Sequence, residues 1–264
     1  EVTGSDTYYG GSYDEAEAHC HPLNYALGIA KAALSAGAKI YENSPATSYK
    51  VLDDHVRVNT KNGSIKADRI VLACNGYLEN LEKSLTSKIL PMNNYIVATK
   101  PLDDETVQKI NPKDIAFADS RFVINYFRMS ADKRLLFGGG ENYSQELSKN
   151  IVPIVTRPLE KIYPFLKGIK IDYAWGGKLA ITMNRLPFFA SLHNEKVISA
   201  QGYSGQGVAL ASYSGKIVSE KITGTGEVFD IMSKIPRPSF PGGRFLRNPS
   251  MKIGMLYYSL LDRI

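Results

Sequence analysis

Gly202-Tyr203-Ser204-Gly205-Gln206-Gly207-Val208 lies between an apolar strand-like run, Lys196-Val197-Ile198-Ser199-Ala200, and a stretch of small and apolar residues over 209–222 with helical character. A strand that turns through glycines into a helix start presents free backbone N–H groups and the positive end of the helix dipole. That geometry suits a partner that carries negative charge or is about to acquire it. The segment reads as α/β architecture with a binding site at the strand-to-helix turn.

The same alternation extends outward. Residues 22–36 predict a helix: Pro22 suits the first helical position, Leu23, Leu27, Ala30 and Leu34 recur at helical spacing, and Gly37 ends it. Residues 39–42 then predict a short strand. Val56 and Val58 alternate with polar residues, and Asn62-Gly63 turns that strand back on itself. Asp68-Arg69-Ile70-Val71-Leu72-Ala73-Cys74 reads as a buried strand halted by Asn75-Gly76, a second place for backbone to approach a ligand. After Pro91 the character changes. Strands are expected over 95–99, 122–129 and 134–137, the last running into Gly138-Gly139-Gly140, and these form a mixed or antiparallel sheet. Pro153, Pro158 and Pro164 punctuate a loop or helical region. Beyond Phe229 an irregular tail is expected, with a short terminal helix over 255–261.

Composition bounds the function classes. With 264 residues, 44% apolar and 22% charged, the chain is an ordinary globular protein and not a disordered one. It contains no apolar run long enough for a transmembrane helix and no visible signal peptide. Only Cys20 and Cys74 occur, which argues against a disulfide framework and for a reducing, cytoplasmic setting. His19 and His21 are spaced like two metal ligands but lack a third, so no metal is expected. Most of the net charge of +6 sits after residue 230, where Lys234, Arg237, Arg244, Arg247, Lys252 and Arg263 face the single acid Asp262. Spaced rather than blocked, these cations are read as pairing with the protein's own carboxylates, not as a nucleic-acid surface.

Three segments together resemble the FAD-dependent oxidoreductases of the D-amino-acid oxidase type. They are His21-Pro22 with its helix and Ala36-Gly37-Ala38; residues 68–76; and Gln201 through Val208 with the helix closing at Ile222-Thr223-Gly224. The tail, Pro241-Gly242-Gly243-Arg244 with Arg247-Asn248-Pro249, is similar to the gamma-glutamylputrescine oxidase branch, and sarcosine oxidases are near it. The resemblance implies an α/β fold with an α+β second domain: a partial, discontinuous FAD-binding domain (1–90 and 190–230), a substrate domain (91–189) and a basic tail (231–264). The Gly-x-Gly-x-x-Gly unit that opens such flavoproteins is absent from these residues. The expectation is a fragment that by itself binds FAD weakly or not at all.

The resemblance also implies a chemistry. A hydride leaves the carbon next to a neutral amine for FAD, the imine hydrolyses, and oxygen reoxidises the flavin. Gly202, Tyr203, Ser204, Gly205, Gln206, Gly207 and Val208 would lie along the flavin ring and ribityl chain, Ala46 near the adenine, and Ala73, Asn75 and Gly76 near the pyrophosphate. Tyr126, Trp175 and Tyr203 are the implied catalytic set; Arg128 shares a strand face with Tyr126 and reads as a surface charge first and an anion clamp second. Amino-acid oxidases of this type carry an arginine shortly before the proline matching Pro187; here Lys178-Leu179-Ala180 stands nearby, with Leu179 at the matching position. An amine or gamma-glutamyl polyamine fits better than a free amino acid. Covalent-flavin members use a Cys where this chain has Gly176-Gly177, so non-covalent FAD is expected. Two other readings remain: a non-catalytic FAD-fold partner subunit, and an RNA-directed flavoenzyme domain.

Overall fold

The computed structural model describes residues 2–139 and 146–243 together with 246, 249, 252–254 and 257. In chain order these form α1 (Pro22–Ser35), β1 (Ala46–Val51), β2 (Val56–Thr60), β3 (Ser64–Ala67), β4 (Ile70–Leu72), α2 (Lys83–Thr86), β5 (Leu90–Thr99), α3 (Asp104–Ile110), β6 (Phe117–Ala118), β7 (Tyr126–Met129), β8 (Leu135–Gly138), α4 (Val152–Ile162), β9 (Ile171–Ile181), β10 (Phe188–Leu192), β11 (Val197–Gln201), α5 (Gly207–Thr223) and α6 (Glu227–Lys234). The chain divides into two compact units: Glu1–Leu27, Asn93–Gly177 and Lys252–Ile264 in one, Gly28–Met92 and Lys178–Met251 in the other. Gly140 and all but Tyr257 of the helix expected over 255–261 lie outside the described residues.

The unit holding residues 28–92 and 178–251 is built on two three-stranded sheets, β1-β2-β3 and β10-β11-β4. In the second, β11 runs parallel to β4, pairing Val197 with Ile70 and Ser199 with Leu72, and antiparallel to β10. Every residue of β11 is buried, because both of its faces are covered. Ile198 and Ala200 pack with Ile217 and Val218 of α5 and Phe229 of α6. Val197 packs with Leu72, Leu78, Leu85, Ile89, Ala180 and Phe188. Gly224, at φ +97°, ends α5 in a left-handed cap whose N–H donates to Glu220 O.

In the other unit a five-stranded sheet runs in the order β6-β7-β8-β5-β9. One face carries Tyr95, Val97, Phe127, Met129, Leu135 and Phe137, covered by Val155, Leu159 and Ile162 of α4. Phe127 is the hub, stacked on Phe117 (4.8 Å between centroids) and Phe137 (5.5 Å), with Tyr163 edge-on at 5.6 Å. The first residues join this unit because Tyr163 Oη donates to Thr3 O (2.7 Å) and Ser5 Oγ to Ile162 O (2.6 Å).

Four local expectations are corrected. Beyond Phe229 the chain is not yet irregular, because α6 continues to Lys234 with Phe229 packed on Ile198, Ala200 and Ile217. Residues 39–42 form no strand; Ile40 and Tyr41 are exposed, and a strand exists only where a neighbour completes its hydrogen bonds. The strand expected over 122–129 begins only at Tyr126, because the Asp119 carboxylate captures the Arg121 and Asn125 N–H groups and closes 119–125 into a loop. β9 and β10 occupy stretches in which no strand is expected. The helix expected over 22–36 forms as α1, yet none of its residues is buried. Phe137→Ala is therefore expected to cost about 3–5 kcal/mol in urea unfolding, whereas Leu27→Ala on α1 stays within about 0.5 kcal/mol.

Candidate functional site

The turn from β11 into α5 is held by hydrogen bonds within its own unit. Asn75 Oδ1 accepts from Gly202 N (3.1 Å), joining the end of β4 to the end of β11. Ser204 N donates to Ala180 O (3.0 Å), and Ser204 Oγ accepts from Thr182 N (3.2 Å). Gln206 N returns to Tyr203 O (3.0 Å). The backbone is left-handed at Gly202 (φ +75°), Ser204 (+52°) and Gly205 (+100°). Glycine removes the steric penalty at two of these positions; at Ser204 the bonds to Ala180 and Thr182 offset it. α5 then starts at Gly207 with no side chain capping it, and Gly205, Gln206 and Val208 are exposed or partly so. The first amides of a 17-residue helix, capped by no side chain, can thus receive acceptor atoms or negative charge.

Tyr203 is buried, and its hydroxyl donates to Ala200 O (3.0 Å), anchoring the loop on β11. Burial pushes its phenol above the usual range. Asn75, at φ +48°, opens a 3-10 turn over Asn75–Tyr77. Gly76 is buried, and a Cβ there would lie 2.5 Å from Lys178 O. Its lack of a side chain therefore makes room for the β9 backbone, whose Lys178 N donates to Tyr77 Oη (3.1 Å). Ala73 is exposed directly after β4, and Ala46 is exposed at the start of β1, in the other sheet of the unit. Contacts through Gly202 and β9 thus bring Asn75, Gly76 and the 202–208 loop together, while Ala46 opens a separate sheet.

The sheet of the other unit places Tyr126 on the face opposite its core. Its ring lies across Gly138, where a Cβ would sit 2.1 Å from Tyr126 Cζ, and its hydroxyl donates to Asn94 Oδ1. Desolvation pushes this phenol up to about 12, so it stays protonated and acts as a donor. Trp175 is 45% exposed and Tyr173 60% exposed, two residues apart on β9 and so on one face. Arg128 is occupied by carbonyls: Nη2 donates to Cys20 O (2.9 Å) and Nη1 to Met129 O (3.0 Å). Among the described residues no group of three or more His, Cys, Asp or Glu side chains is placed to hold a metal ion. No helix among them is long and apolar enough to cross a membrane.

Sequence reasoning misses Asn94, Thr182 and Arg237. Asn94 has a signal, an Asn93-Asn94 pair interrupting a strand-like run. Arg237, expected with the rest of the basic tail to pair with carboxylates, is buried instead and bonds backbone carbonyls. Lys234 and Lys252 are exposed, while Arg244, Arg247 and Arg263 lie outside the described residues.

The family model described as "FAD dependent oxidoreductase" (DAO) matches residues 1–221. The chain belongs to that family. It is 37% identical over 264 residues to the probable oxidoreductase OrdL of Haemophilus influenzae, covering 98% of this chain and 60% of the relative. It is 36% identical over 261 residues to the gamma-glutamylputrescine oxidoreductase of Escherichia coli, covering 98% and 61%. The chain thus spans about three-fifths of the length of the curated relatives it matches. Among solved structures, glycine oxidase from Geobacillus kaustophilus aligns with a TM-score of 0.60 at 21% identity, over 74% of this chain and 52% of that one. L-Proline dehydrogenase from P. horikoshii aligns at 0.61 and 23%, over 81% and 57%. These neighbours show the fold.

The residues present fit a cofactor that gains negative charge: a left-handed loop leads into helix amides that no side chain caps. For the other unit, Tyr126→Phe is expected to cost about 1 kcal/mol at pH 8 through the lost Asn94 bond. Because the folded phenol titrates near 12 and an unfolded one near 10, its proton-linked stability is complete below pH 10 and lost as pH rises toward 12. Urea unfolding across pH 8–12 is expected to show wild type losing its advantage over Tyr126→Phe in that window.

Proposed function

We propose that the protein, with FAD bound non-covalently, oxidises an amine, and that its substrate is a gamma-glutamylputrescine-like or secondary amine rather than an α-amino acid. The reading is carried by the head of α5, which starts at Gly207 with no side-chain cap beside the exposed Gly205, Gln206 and Val208. FAD, when bound, supplies the acceptor for a hydride from the carbon next to nitrogen. The protein's part is to bind, orient and stabilise charge. Gly205 to Val208 would set the electrostatics of the ring edge, Tyr203 would anchor that loop from below, and Asn75, Gly76, Ala73 and Ala46 would lie toward the rest of the dinucleotide. Tyr126 and Trp175 are proposed to line the substrate side, the neutral Tyr126 phenol giving a fixed hydrogen-bonding group beside Asn94.

Two observations support the substrate class. The cation of 178–180 is Lys178, whose Nζ lies 3.8 Å from Glu79 and over the Tyr77 ring. That placement supplies no bidentate clamp for an α-carboxylate. The relative named gamma-glutamylputrescine oxidoreductase is also 36% identical. Non-covalent attachment is supported by Gly176-Gly177, which offer no thiol, and by Cys74, whose thiol is pushed up by burial, which disfavours the thiolate needed for attachment.

Anaerobic reduction of the FAD-loaded protein tests this reading. Gamma-glutamylputrescine is expected to bleach the flavin with a rate per unit concentration about tenfold or more above that of glycine, the discrimination one missing charge-assisted contact provides. Faster bleaching by glycine, or a flavin that survives acid precipitation attached to the chain, would contradict it.

A further inference from the structure

Arg237 carries a buried charge that no carboxylate among the described residues neutralises. It is 9% exposed, and burial lowers its pKa. Nη1 donates to Ile235 O (2.8 Å) and Pro236 O (3.2 Å), Nη2 donates to Pro187 O (2.5 Å), and the buried Nε has no partner among the described residues. Burying a guanidinium without a counter-ion is costly. What it gains here is order, because one planar fork ties the tail to the turn between β9 and β10.

That turn leads to the candidate site. Asn184 Nδ2 donates to Pro236 O (3.1 Å), and Asn184 Oδ1 accepts from Leu186 N (3.2 Å). Leu186 O in turn accepts from Thr182 Oγ1 (2.9 Å). Thr182 then touches the loop twice, through N to Ser204 Oγ (3.2 Å) and through Oγ1, 3.3 Å from the same oxygen. On its other side the tail is fixed by Lys88 Nζ donating to Arg237 O (2.8 Å) and by Phe240 N donating to Ser87 O (3.0 Å). Every one of these residues lies in the unit Gly28–Met92 and Lys178–Met251.

We propose that Arg237 is a positioning residue for the 202–208 loop: by clamping Pro187 it fixes the 182–187 turn, and Thr182 of that turn holds Ser204 in its left-handed conformation. The consequence for the cofactor rests on the function proposed above; the coupling itself does not. A lysine would not reproduce the contact, because its ammonium lacks the planar fork by which Nη1 and Nη2 separately reach the 235–236 carbonyls and Pro187 O.

Amide hydrogen exchange of the full chain, read at single residues, tests the coupling without flavin. In Arg237→Met, which keeps the apolar stem, the Ser204 and Thr182 amides are expected to exchange about five- to tenfold faster, the worth of one lost hydrogen bond. The Ile198 amide in the β11 ladder should hold its rate. Thr182→Val should speed the Ser204 amide similarly, and the double variant should add little, since both changes cut one line of contacts. Unchanged Ser204 exchange in Arg237→Met, full additivity, or equal acceleration at Ile198 would overturn the proposal. Should Arg237→Met not fold, Arg237→Lys decides between the same outcomes: Ser204 loosening ahead of Ile198 supports the clamp, and equal loosening overturns it. Titration of the flavin-free protein with FAD separates the two readings. Weaker FAD binding in Arg237→Met accompanies both, whereas faster Ser204 exchange with unaltered FAD affinity leaves the clamp intact and removes the flavin role of the loop.

Discussion

One side-chain hydrogen bond, from the Gly202 amide to the Asn75 carbonyl oxygen, sets the geometry on which the candidate site depends. It exists because β4 and β11 run parallel in a register that brings the ends of both strands close together, with Asn75 and Gly202 just beyond the ladder. Asn75 accepts a left-handed backbone to reach that position, which asparagine does at less cost than most residues. In exchange the chain leaves β11 at a fixed angle, and α5 begins where its first amides are open. A net contribution of about 1 kcal/mol is modest in energy, yet it decides the direction of the loop.

The loop is stiffened further by hydrogen bonds and close packing within its own unit. Tyr203 uses its hydroxyl on Ala200 O, Ser204 is held between Ala180 and Thr182, and Gly76 is flush against the Lys178 backbone. A surface that receives developing charge is effective only if it need not reorganise when the charge appears. The packing gives the loop that property, since β11 is buried on both faces and carries the loop at its end.

How much of this is legible in the residues follows from the range of the interactions. The 202–208 turn declares itself through glycine spacing after an apolar strand, a local signal, and so does the helix α5. The stop at Asn75-Gly76 is legible as a stop. Its partner is not, because the register joining Ile70 to Val197 links residues far apart in the chain. β9 escapes notice because Gly176-Gly177 interrupts its pattern, and glycine argues against a strand interior; here Gly176 fits closely against Tyr95 and Asn94 of the neighbouring strand. Residues 39–42 have strand propensity, but among the described residues no strand pairs with them. Arg237, flanked by Pro236 and Pro238, has the composition of a loose tail. Only packing shows it buried.

A crystal structure of the protein with FAD bound tests the central placement most directly. If the loop is the ring-side cradle, the oxygen- and nitrogen-bearing edge of the isoalloxazine will lie at hydrogen-bonding distance, about 3 Å, from the backbone amide of Gly205, Gly207 or Val208, with the Asn75–Gly202 bond intact. A ring bound elsewhere, with those amides still facing solvent, would contradict that placement.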